Sequence, residues 1–127
     1  MRATRILTSA VLFSVAAYGL ALAADAPAGV KMAGGMLQDG KGMTLYTWDN
    51  DKEANKSSCN AMCAANWPAL KADAGAKDMG EWKVITRDDG SKQWAYKGKP
   101  LYYFVMDSAA GDKKGEGRGM VWHMAKM

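Results

Sequence analysis

The segment Leu45-Tyr46-Thr47-Trp48-Asp49-Asn50-Asp51 returns 56 positions later as Leu101-Tyr102-Tyr103-Phe104-Val105-Met106-Asp107, and this duplication constrains the fold more than any other feature of the chain. Both copies read Leu-Tyr-x-aromatic-x-x-Asp. Each follows a glycine, Gly42 or Gly98, and each aspartate is followed 16 or 15 residues later by a tryptophan, Trp67 or Trp122. A lone hairpin cannot bury an apolar face in water, whereas two copies can cover each other. The repeat therefore predicts one small, mainly antiparallel β domain of α+β type, made of two diverged units. Copy one covers about 30–70 and copy two about 82–124.

What precedes the repeats reads as an export signal. Arg2 and Arg5 stand before an apolar run from Ile6 to Leu22, which ends in the small-x-small site Ala21-Leu22-Ala23. The run is shorter than the roughly 20 apolar residues of a membrane span and carries Thr8, Ser9 and Ser14. The expectation is a signal helix over 1–23, cleavage after Ala23, and a single duplicated domain over 24–127 in the periplasm or outside the cell. After cleavage no membrane span remains, and Ala24 stands where a lipid-anchor cysteine would be. The net charge of +4 falls by two on loss of Arg2 and Arg5, and the remaining charges are interspersed, which predicts no nucleic-acid partner. Lys113, Lys114 and Arg118 fall in the glycine-rich run Gly111 to Gly119, the pattern of a solvated loop.

Taken in order, Val30 to Leu37 predicts a first strand, and Gln38-Asp39-Gly40-Lys41-Gly42 a turn into a returning strand over Met43 to Trp48. In that strand Tyr46 and Trp48 share one face, and Leu45 and Thr47 the other. Asp51 lies beyond its end, where a carboxylate can accept bonds from following backbone N–H groups. Between Ser57 and Leu70 the Ala-rich pattern predicts a short helix, with Ser57 and Ser58 as candidate N-caps and Trp67-Pro68 as its stop. Lys71 to Gly80 reads as a loop. Trp82 to Arg87, Lys92 to Tyr96 and Leu101 to Met106 read as a three-strand meander, and Met120 to Met124 as a last strand. The motif residues Tyr46, Trp48, Asp51, Tyr102, Phe104 and Asp107 are expected to furnish shared core rather than a ligand platform, because half-buried strands ordinarily carry aromatic and β-branched residues.

From about Met43 to Trp122 the chain resembles the bacterial secreted or lipoprotein repeat family recognised by its Tyr-x-[Phe/Trp/Tyr]-x-x-Asp motif. Tyr46, Trp48 and Asp51, then Tyr102, Phe104 and Asp107, carry that pattern residue for residue. The resemblance implies export. It supplies no biochemical activity and no catalytic residue to transfer.

Cys59 and Cys63 are the only thiols, and in an exported chain an even pair favours a disulfide. Residues four apart on a regular helix hold their Cβ atoms ~5–6 Å apart, too far for the ~3.5–4.5 Å of a bridge. The bridge thus requires the segment to begin as a turn, with only its later part helical. A competing reading is copper. Soft thiolate and thioether ligands select Cu(I), and Cys59, Cys63, His123, Met120 and Met124 can be written as a ligand set. Strand alternation opposes it, placing Met120, Trp122 and Met124 on one face and His123 on the other. Asp49, Asp51 and Glu53 alternate as calcium ligands do, but Ala54 stands where the sharp-turn glycine belongs.

Catalytic signatures are missing from the sequence: one histidine, no Gly-x-Ser-x-Gly, no phosphate loop, no haem or dinucleotide fingerprint. A carboxylate hydrolase has only the abundance of acids in its favour. The reading is a non-enzymatic exported envelope protein acting as a binding or interaction module, needing no cofactor, with the copper-binding or redox accessory protein as the alternative.

Overall fold

The structure is a computed structural model that describes residues 26–27 and 29–127; the expected signal helix over 1–23 lies outside the described residues. Among the described residues, seven short strands and one helical turn of α-type build the domain: β1 (Lys31–Ala33), β2 (Met36–Gln38), β3 (Tyr46–Trp48), α1 (Met62–Asn66), β4 (Trp82–Thr86), β5 (Lys92–Tyr96), β6 (Lys99–Pro100) and β7 (Trp122–Met124), with a 3₁₀ turn at Arg118–Met120. Their pairings are antiparallel, β1 with β2, β3 with β7, and β4–β5–β6 in a row. No helix among the described residues is long and apolar enough to cross a membrane.

Three of the expected elements are corrected. The first strand is two, because Gly34 and Gly35 both adopt positive φ, which glycine reaches without a Cβ clash, and fold the segment back on itself. The meander's third strand, expected over Leu101 to Met106, is the short β6 at Lys99 and Pro100; Leu101 N–H still reaches Trp94 O in its own repeat, and from Tyr102 onward the backbone N–H groups turn to the other repeat, at Tyr46, Pro68 and Asn66. The last strand begins at Trp122, not Met120, because Gly117, Gly119 and Met120 all have positive φ and coil the approach into a 3₁₀ turn.

The repeats do not merely cover each other; they interleave. Tyr46 N–H donates to Tyr102 O at 2.8 Å and Tyr102 N–H to Tyr46 O at 3.0 Å, so the two motif strands meet at an approximate two-fold axis. Around it the same bonds occur twice. Leu45 N–H reaches Leu37 O, Leu37 N–H reaches Ala125 O, and Ala125 N–H returns to Leu45 O. In the other half Leu101 reaches Trp94, Trp94 reaches Leu70, and Leu70 returns to Leu101. Asp49 N–H to Val121 O is matched by Val105 N–H to Asn66 O. Each motif strand thus pairs with the tryptophan-bearing segment of the other copy.

Strand alternation then sends neighbouring motif residues into two separate cores. Leu45 and Leu101 pack on one face with Leu37, Leu70, Trp82 and Trp94. Tyr46 and Tyr102 pack on the other with Cys59, Trp67, Phe104 and Trp122.

Candidate binding site: an aromatic ladder and its groove

The second core is a ladder of rings. Trp48 stacks on Trp122 (5.3 Å between centroids, 11°), Trp122 on Trp67 (3.7 Å, 4°) and Trp67 on Phe104 (4.3 Å, 24°). Tyr46 meets Trp67 edge-on at 5.5 Å, and Tyr102 meets Trp122 in the same way at 5.3 Å. The order is symmetric about the axis, each copy's motif ring capping the other copy's tryptophan. Stacked and edge-to-face pairs contribute ~0.5–1.5 kcal/mol each beyond burial, so the ladder is a strong clamp between the halves.

Hydrogen bonds across the axis tighten it. Tyr46 Oη donates to Asp107 Oδ2 at 2.6 Å, and Tyr102 Oη donates to Asp51 Oδ2 at 2.6 Å. The second oxygen of each carboxylate accepts a backbone N–H seven residues on, Ser58 for Asp51 and Lys114 for Asp107. The turn-fixing role expected of the aspartates is there, joined by a bond to the opposite repeat that spacing within one copy could not disclose. Burial, then the Asp107 carboxylate, pushes the Tyr46 phenol well above its ordinary value. Tyr102 rises through burial and Asp51, and Tyr103 through burial and its bond to Asp39. Burial also raises the Asp51 carboxyl, against the opposing pull of Tyr102, Ser58 and Arg87.

Arg87 and Gln93 belong to this framework and had no signal in the sequence beyond their place on strands. Arg87 is buried, donating from Nη1 to Ser57 Oγ at 3.0 Å and to Gln93 Oε1 at 2.7 Å, and from Nη2 to the Cys59 carbonyl. Ser57 in turn shares a 2.7 Å bond with Tyr102 Oη. This network displaces the expected N-caps. Ser57 is occupied inside the core, and α1 starts after Ala61, whose φ of 53° places it outside helical space with no side-chain cap. Cys59 and Cys63 are joined across that turn with Cα atoms 5.2 Å apart, Cys59 before the helix and Cys63 within it. Copy two has Gly115 where copy one has Cys59, because a Cβ there would lie 2.8 Å from the Tyr46 ring and 2.9 Å from Trp67.

The five written copper ligands are not brought together. Cys59 and Cys63 bond each other; His123 Nε2 lies 2.9 Å from Asp49 Oδ2, with Glu116 on the Nδ1 side at 3.9 Å. Met120 is 84% exposed on the 3₁₀ turn, and Met124 packs at the margin of the ladder core. Among the described residues no group of three His, Cys, Asp or Glu side chains is arranged to hold a metal ion; Asp49 and Glu116 meet His123 at different ring nitrogens.

The ladder opens to solvent at its Phe104 end, in a groove of about 450 Å³. Trp67, Phe104, Met106, Val121 and Trp122 line it, and Arg118 lies over the Phe104 ring at 4.9 Å. At the equivalent position copy one carries the larger Trp48. No curated protein and no solved structure matches the chain. One family does, twice, over residues 30–71 and 83–126, the two interleaved halves described above, and the chain belongs to that family of secreted repeats of unknown function.

Proposed function

We propose that this is a non-enzymatic exported protein of the periplasm or the extracellular space that works by binding, and that the groove at the Phe104 end of the ladder is its binding surface. The observation that carries the reading is the apolar rim: Val105 is 52% exposed and Met106 58%, on a concavity lined by stacked rings. Concave, mostly apolar sites of ~300–1,000 Å³ are where small ligands are ordinarily held. The non-enzymatic part is supported by the motif tyrosines and aspartates, whose polar atoms are already committed to one another.

The test is a titration of the mature protein with a neutral apolar probe such as decanol, followed by tryptophan fluorescence. Saturable one-to-one binding that Met106→Asp weakens at least tenfold supports the reading. Absence of saturable binding of decanol and of the same chain bearing a charged head, or binding indifferent to Met106→Asp, rejects it.

A further inference from the structure

We infer that the groove's ligand is an anionic amphiphile, an apolar chain or ring bearing a carboxylate or phosphate head, and that Arg118 is the residue that reads the head. The inference rests on the binding reading above and adds its chemistry.

Arg118 is placed by two contacts. Its guanidinium lies over the Phe104 ring, 4.9 Å from the centroid, and its Nε–H donates to Lys114 O at 3.1 Å. Both contacts orient the fork without consuming its ends: among the described residues Nη1 and Nη2 have no hydrogen-bond partner and no carboxylate lies within 4.0 Å. The nearby acids are engaged elsewhere. Asp107 accepts from Tyr46 and Lys114 N–H, Asp112 from Ser108 and Ala109 N–H and pairs with Lys114, and Glu116 accepts from Met124 N–H and faces His123. Lys113 is also exposed on the same loop.

A guanidinium stacked on a ring presents a planar pair of donors that matches carboxylate or phosphate geometry, and such charge-assisted bonds are about twice as strong as neutral ones. Beside it the wall is mostly apolar, formed by Trp67, Phe104, Met106, Val121 and Trp122, with Asn66 at its edge donating to Met62 O. A neutral apolar ligand would cover the wall and leave the cation as it is. A free anion would meet the cation and leave the wall in water. A molecule carrying both parts complements the site as a whole, with its head at the loop and its tail along the rings.

The experiment compares decanoate, decyl phosphate, decanol and decyltrimethylammonium, each below its critical micelle concentration, on the mature protein and on Arg118→Gln and Arg118→Lys, with near-ultraviolet circular dichroism as the check of fold. On the unsubstituted protein decanoate or decyl phosphate should bind at least tenfold tighter than decanol, with the cationic chain weakest. Arg118→Gln should bring the anionic chains to within about threefold of decanol, and Arg118→Lys should retain part of the preference. Preference for decanoate over decyl phosphate, or the reverse, tells which head the fork fits. Decanol binding as tightly as both anions overturns the inference while leaving the binding reading intact, and a preference unchanged in a folded Arg118→Gln does the same. No saturable binding of any chain removes both.

Discussion

Replacing Tyr102 with phenylalanine keeps the ring in its place and removes one oxygen, which separates the bond between repeats from the packing around it. That oxygen is fully buried, donates to Asp51 Oδ2 at 2.6 Å, and shares a 2.7 Å bond with Ser57 Oγ. A hydrogen bond to a charged group contributes about 1.5–3 kcal/mol and a neutral one about 0.5–1.5 kcal/mol. Asp51 is only partly buried, so water restores some of what the carboxylate loses. The expected cost of Tyr102→Phe is therefore about 2–3 kcal/mol, a large share of the roughly 5–15 kcal/mol that holds a domain of this size. Urea unfolding at pH 7 measures it, and a double-mutant cycle locates it. Tyr102→Phe and Asp51→Asn should couple by about 1 kcal/mol or more, whereas Tyr102→Phe and Asp107→Asn, which share no hydrogen-bond partner, should add to within about 0.5 kcal/mol. A Tyr102→Phe protein within about 0.5 kcal/mol of the unsubstituted one, or coupling of Tyr102 to Asp107 as strong as to Asp51, would refute this role of the Tyr102 hydroxyl.

Three further outcomes follow from the same geometry. Gly115→Ala sets a methyl 2.8 Å from the Tyr46 ring, and overpacking of this kind costs about 1–3 kcal/mol; an unchanged melting temperature would show that the loop yields freely. Tyr46, Tyr102 and Tyr103 hold their protons longer in the folded state than in the unfolded chain, where phenols ionise near about pH 10. The unfolded form sheds protons first, so stability is full below about pH 10 and is lost as pH rises above it; the tyrosinate absorbance of these three phenols should appear together with loss of near-ultraviolet circular dichroism, and their smooth ionisation in a still-folded protein would contradict it. The bridge between Cys59 and Cys63 encloses three residues, so its removal by Cys63→Ser should cost less than the ~3 kcal/mol that chain entropy assigns to a 15-residue loop, and thiol titration of the unfolded exported protein should find no free thiol.

Much of the local structure was legible in the chain because it depends on neighbours in sequence. Turn chemistry at Asp39–Gly42 and Asp88–Ser91, the alternation of Trp82–Thr86 and Lys92–Tyr96, and the late start of a helix around a Cys-x-x-x-Cys pair are all set within a few residues. The same holds for the duplication, which announced two units and their aromatic content.

What the sequence determined alone was thus the inventory: an antiparallel domain of two copies, a cysteine pair, and two sets of tyrosine, ring and aspartate. Tertiary structure decided how the sets are joined. Tyr46 with Asp107 and Tyr102 with Asp51 are 61 and 51 residues apart, and either motif read by itself permits a tyrosine to bond its own aspartate. The choice is made by the two-fold meeting of the motif strands at Tyr46 and Tyr102, which brings each phenol to the far copy and stacks Trp67 on Trp122. The groove and the open fork of Arg118 are products of that same meeting, because they lie where the two halves stop matching: a smaller ring at Phe104, and a glycine-rich loop where copy one has its disulfide. Local periodicity carries no information about such a mismatch, since it is a relation between two surfaces that touch only after the chain has closed on itself.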